Sequence, residues 1–276
     1  MVVPELVGDA RGGRLGFGRE SGSFPGAAAR GLAVRGRSDR ALEMPHRHAE
    51  PPSEPPSWSL LREGLIVLEV PRLAWLLPVY ARAPRGDGGP VLVLPGFGTG
   101  DASTVGLRTF IQLIGYQARG WGLGINRGDV AALLPQVIER TLRAADRGGR
   151  KVRLVGWSLG GTLARETARE RPELVECVVT LGTPAVGGPK YTAVGAAYRR
   201  QGYDLDAIER EVAARERHPI RVPVTAIYSR GDGVVAWQAC IDRHTPAVEH
   251  VEVRGTHTGL GFNPDADLAI AQRLPR

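Results

Sequence analysis

The chain has 276 residues, of which 42% are hydrophobic, enough to fill the core of one α/β domain of ordinary size and leave a tail. Net charge is +7 with a pI near 10.0, yet lysine stands only at 151 and 190 and no Lys/Arg run carries interleaved aromatics, which argues against a nucleic-acid partner while staying compatible with contact to an anionic membrane surface. Cys177 and Cys240 are the only cysteines, so a disulfide framework and a cysteine-based metal site are excluded, and a single bridge between the two stays open.

Residues 1–57 are rich in Gly, Arg, Ala, Ser and Pro and end in EPPSEPPS, a composition that predicts a disordered tail ahead of a domain over 58–276. No basic stretch followed by a long apolar core stands at Met1, which predicts a cytoplasmic protein, and Met44 offers an alternative start. The apolar stretch 60–80 is interrupted by Arg62, Glu63, Glu69, Arg72, Pro71 and Pro78, so it reads as a packed N-terminal helix and not as a membrane span.

From residue 90 onward the pattern alternates between strands and helices, as a parallel sheet requires. PVLVL at 90–94 is an early buried strand followed by the loop PGFGTG at 95–100. Asp101 or Ser103 is placed to cap a helix over 104–119, GWGLG at 120–124 reads as a short strand, and Asp129 caps a helix reaching 147. KVRLV at 151–155 is the next strand, and 159–171 has the Ala, Leu and Arg bias of a helix. A strand at 178–181 precedes an insertion over 186–219, which holds Tyr191, Tyr198, Tyr203 and a charged helix at 206–217; it reads either as a small cap or as a surface helix pair. Strands at 222–228 and 248–253 complete the series.

Between strand and helix lies Gly156-Trp157-Ser158-Leu159-Gly160, a sharp turn that presents Ser158 as a nucleophile. A serine hydroxyl needs a base and an orienting carboxylate. The loop SRGDG after the strand at 222–228 offers Asp232 as the carboxylate, ahead of Asp204, Asp206 and Asp242. The loop RGTHTG after the strand at 248–253 offers His257 as the base, ahead of His244 and His250. On this assignment Asp242→Asn is expected to be close to neutral. The backbone N–H of Phe97, after the early strand, and that of Leu159, after the nucleophile, are the expected oxyanion donors.

With LPGFGTGD, GWSLGG, LGTP at 181–184, SRGDGVV at 229–235 and GTHTGLGFNP at 255–264 in this order, the chain from about residue 90 resembles a bacterial α/β-hydrolase of the esterase/lipase type. The resemblance implies an eight-stranded, mostly parallel sheet flanked by helices, with a small cap insertion. It also implies hydrolysis of a small-molecule or lipid carboxylic ester through an acyl-enzyme on Ser158, Asp232 and His257, without a cofactor or metal. Acyl transfer or thioester hydrolysis on the same fold, and a non-catalytic binding protein that kept the fold, are the alternatives. Two positions depart from the family pattern: Trp157 stands where His or Tyr is usual, and LGTP is followed by Ala185-Val186 in place of the usual His. Phe97 beside the acyl site leads us to expect medium-length acyl esters and poor cleavage of tertiary-alcohol esters.

Overall fold

Five consecutive apolar residues form β1 (Pro90–Leu94), all of them buried, because both faces of the strand are covered. Val91 and Val93 point into one apolar layer, with Leu107, Phe110 and Ile111 of α1 (Val105–Leu113) and Ala266 and Ile270 of α6 (Pro264–Arg273). Leu92 and Leu94 point into the opposite layer, with Leu134 and Val137 of α2 (Val130–Gly148) and Leu163 and Ala164 of α3 (Leu159–Glu170). A computed structural model of the chain describes residues 51–68 and 83–275; most of the expected tail (1–50) and most of the apolar 60–80 stretch (69–82) lie outside the described residues.

The remaining strands are β2 (Gln117–Gly120), β3 (Val152–Trp157), β4 (Val175–Leu181), β5 (Val224–Tyr228) and β6 (Val248–Glu252). They pair in the order β2-β1-β3-β4-β5-β6, and every pair is parallel. The described residues thus hold six strands of the eight the resemblance implies. All loops that follow strands lie at one end of such a sheet, where open α/β folds bind ligands.

Several local expectations shift. The second strand is 117–120 and not 120–124, so the preceding helix stops at Leu113. Asp101 caps no helix: its carboxylate accepts from the N–H groups of Trp121 (3.0 Å) and Gly122 (3.0 Å) and ties the loop after β2 to the loop after β1. Ser103 Oγ donates to the Gly100 carbonyl and does not act as a cap either. Asp129 caps α2 as expected, accepting from Ala132 N–H at 3.0 Å, and Gly149 ends it at φ 63°. The two cysteines are free and buried. Arg153 is fully buried inside β3, where Asp87 (2.9 Å) and Glu176 (3.1 Å) neutralise it. No helix among the described residues is long and apolar enough to cross a membrane.

The insertion folds into a 3-10 turn (Gly188–Tyr191), α4 (Gly195–Arg200) and α5 (Leu205–Arg215). Lys190 joins the turn to α5 through Asp206 (2.7 Å) and Glu209 (2.5 Å). Its base is stitched to the loop after β5 by a Thr192–Val235 antiparallel bridge and by Ala193 N–H donating to Val234 O at 2.7 Å.

Candidate active site

At the end of β3 the chain turns through Ser158, with φ 54° and ψ −124°, and enters α3 one residue later. Ser158 is the only non-glycine residue with positive φ among the described residues. Such a conformation costs about 1–3 kcal/mol and persists only where the surroundings enforce it. Here they do. A Cβ on Gly156 would lie 2.4 Å from Gly161 Cα, and one on Gly160 would lie 2.2 Å from the Leu94 carbonyl oxygen, so the turn closes only around glycines. Ser158 N–H donates to Leu181 O (2.8 Å), and Ser158 O accepts from Thr183 Oγ1 (2.9 Å). The Leu-Gly-Thr-Pro motif after β4 is therefore the brace of the turn.

The loops after β5 and β6 bring Asp232 and His257 together, with Asp232 Oδ2 2.7 Å from His257 Nδ1. A carboxylate can only accept, so Nδ1 carries the proton and Nε2 is the free acceptor of the neutral ring. The other oxygen, Oδ1, accepts from Val234 N–H (2.8 Å) and Val235 N–H (2.7 Å), which fixes the carboxylate plane. Burial opposes the imidazolium, but the charge of Asp232, its hydrogen bond and the charge of Glu63 together raise the His257 pKa above its ordinary value.

Gly182, with φ 54°, lies against this pair: a Cβ there would stand 2.9 Å from both Asp232 Oδ2 and His257 Nδ1. Gly182→Ala is expected to displace the pair and cut kcat by about tenfold or more. A Gly182→Ala protein with unchanged kcat and melting temperature would show that the contact is slack.

The N–H groups of Phe97 and Leu159 donate to no acceptor among the described residues, and both residues line the same cavity as Ser158. A cavity of about 300 Å³ opens over Ser158. One wall carries Phe97, Leu159 and Thr162, and the other carries Tyr198, Ile208 and Val212 of the insertion. Phe97 and Tyr198 rings meet at 5.2 Å, so the insertion touches the loop that bears the first free N–H. Ser158 Oγ makes no hydrogen bond within the described residues, and none joins it to His257.

The alternative acids and bases are occupied elsewhere. Asp204 caps α5, accepting from Asp206 N–H and Ala207 N–H, and Asp206 pairs with Lys190. Asp242 pairs with Arg165 at 2.9 Å, both side chains being buried; despite burial, the Arg165 charge holds its carboxyl well below the usual range. His250 Nε2 accepts from Asp242 N–H, and His244 is exposed. Trp157 is a buried brace, donating its indole N–H to His257 O at 3.1 Å.

Sequence reasoning missed Glu63. It sits in the 3-10 helical segment Ser57–Leu68, and its carboxylate accepts from Gly233 N–H (2.9 Å), His257 N–H (3.0 Å) and Thr258 N–H (2.6 Å). The sole hint was a charged pair, Arg62-Glu63, interrupting a largely apolar run.

No known family matches the chain by sequence, and no curated protein does. Solved structures do match. One belongs to work on LipS and LipT, two metagenome-derived lipolytic enzymes: TM-score 0.53 at 16% identity, over 69% of this chain and 93% of that one. Another is the monoacylglycerol lipase of Paleococcus ferrophilus: TM-score 0.50 at 16% identity, over 69% and 95%. Together with the parallel sheet and its flanking helices, these matches establish the α/β-hydrolase fold for this chain.

Proposed function

We propose that the protein is a serine hydrolase of carboxylic esters, with Ser158 as nucleophile, His257 as general base and Asp232 as the group that orients it. The observation that carries this reading is the Asp232–His257 bond, formed by loops at the same sheet end as a strained serine turn. His257 Nε2 takes the proton of Ser158 Oγ as the oxygen attacks the ester carbonyl, and Asp232 stabilises the imidazolium that results. The N–H groups of Phe97 and Leu159 receive the developing oxyanion. Collapse expels the alcohol, which takes the proton from His257, and water activated by the same imidazole then releases the acid. The serine hydroxyl turns about χ1, and bonds of this kind tighten when substrate excludes water.

The cavity over Ser158, at about 300 Å³, lies at the small end of the roughly 300–1,000 Å³ range of small-molecule sites. It suits a single acyl chain, and we expect turnover of p-nitrophenyl esters to peak at roughly four to ten acyl carbons, since each buried methylene adds about 0.8 kcal/mol until the pocket ends. Phe97→Gly is expected to admit tertiary-alcohol esters that the native ring excludes. Tert-butyl acetate cleaved by the unaltered enzyme as fast as ethyl butyrate would remove Phe97 from this role.

A fluorophosphonate probe tests the central assignment. Intact-mass analysis is expected to show one adduct, mapped to Ser158; an unlabelled protein would favour a non-catalytic relative. Comparing an oxyester with its thioester, with and without an added alcohol acceptor, separates hydrolysis of esters from thioesterase and acyltransferase activity.

A further inference from the structure

The segment Ser57–Leu68 lies outside every motif that defines the site, yet it is wedged between the two loops that carry Asp232 and His257. Glu63 Oε1 accepts from Gly233 N–H, one residue past Asp232, and from His257 N–H itself, while Oε2 accepts from Thr258 N–H. Ser59 Oγ adds a donor to Gly233 O at 2.6 Å, and both Ser59 O and Glu63 Oε1 lie so close to Gly233 that no Cβ fits there. One carboxylate therefore spans the two loops, which are also joined by Ser229 Oγ donating to Gly255 O (2.6 Å) and by the Asp232–His257 bond itself.

We propose that Glu63 is a positioning residue, whose carboxylate holds the acid and base loops in register and places a second negative charge beside the His257 imidazole. The inference rests on the esterase reading for its kinetic part, whereas its electrostatic part stands on the placement of the Glu63 carboxylate at the His257 backbone and does not need that reading.

The charge must persist for the clamp to act, and it does. Burial works against it, but the bonds from Thr258, Gly233 and His257 outweigh burial and lower the Glu63 pKa. The groups acting on the imidazole are Asp232, from the loop after β5, and Glu63, from the N-terminal segment. Cys240, behind Asp232, stays neutral because burial pushes its thiol up, and the 3-10 turn Gly259–Phe262 and Trp157 carry no charge. Arg230 and Arg254 are exposed. An anion beside a histidine favours its protonated form, so neutralising Glu63 must lower the His257 pKa. The sign is distinctive: loss of Glu63 makes the site slower but extends its working range toward acid.

The test is a titration of the His257 imidazole by NMR in the full-length protein, with kcat and KM against pH for p-nitrophenyl butyrate, in the native protein, Glu63→Gln and Glu63→Asp. Glu63→Gln is expected to lower the His257 pKa by about half a unit or more, to move the acidic limb of kcat/KM by the same amount, and to reduce kcat about tenfold with little change in KM. Glu63→Asp, with the charge on a shorter arm, is expected to hold the titration within about 0.2 units of native while kcat falls severalfold. An unchanged imidazole titration in Glu63→Gln overturns the electrostatic part, and native kcat in Glu63→Asp overturns the positioning part, even if Glu63→Gln does not fold. A shifted titration in a protein that hydrolyses no ester and takes no fluorophosphonate would support the clamp while rejecting the esterase reading.

Discussion

Ser158→Ala is expected to lower ester turnover by roughly a thousandfold or more while leaving the fold intact. The hydroxyl contributes no hydrogen bond to the surrounding structure, and the turn is held by its backbone through Leu181 and Thr183. Alanine in a positive-φ conformation bears the same Cβ strain as serine, so the melting temperature should move little. Residual activity would come from the two N–H donors and from substrate binding. Circular dichroism, a melting curve and steady-state kinetics decide the matter together: a well-folded Ser158→Ala protein that still turns over esters at the native rate would place the nucleophile elsewhere.

Asp232→Asn is expected to lower kcat by about a thousand- to ten-thousandfold, with KM much less affected. The reason lies in which atom faces which. Val234 and Val235 N–H groups both point at Oδ1, so an asparagine keeps its carbonyl there and turns its NH₂ toward His257 Nδ1. The ring must then accept at Nδ1 and carry its proton on Nε2, where it cannot receive the serine proton. Asp242→Asn provides the contrast. The sequence leads to an activity close to native for this variant, and the structure adds an effect on stability, because the carboxylate is buried against Arg165, which also reaches Glu216 at 3.3 Å. Weakening such a pair leaves a poorly compensated buried guanidinium, and loss of a partner of this kind costs about 3–5 kcal/mol. Asp242→Asn should therefore lower the melting temperature while the folded fraction keeps a kcat within a few-fold of native. The reverse pattern, with Asp232→Asn fast and Asp242→Asn slow, would move the acid.

Much of the scaffold is legible locally. The strand at 90–94 appears with the bounds its apolar run suggests, because a strand covered on both faces needs no partner pattern to be recognised. Asp129 caps its helix because side chain and amide lie within one turn. The expectation of a strand at 120–124 fails for the converse reason. GWGLG looks apolar, but Gly122 and Gly124 adopt positive φ, and pairing with β1 selects the polar run 117–120, whose residues look unlike a strand until a neighbour is present. Asp101 misleads in the same way, since the amides it serves are 20 and 21 residues distant.

What the sequence by itself determined is the order and type of the chemical groups: a serine between small residues at a strand-to-helix turn, then an acid, then a histidine, each in a loop after a strand. These are local signals, set by backbone sterics and by the need of such turns for glycine. Which acid faces which base, that Trp157 is a brace, and that Tyr198 closes on Phe97 were decided by the tertiary structure. The clamp by Glu63 is the clearest case, because its partners lie 170 to 195 residues away and are backbone amides, which every non-proline residue carries. No side-chain pattern can mark such a partner in advance; it is chosen when packing brings one carboxylate to the place where unpaired N–H groups converge.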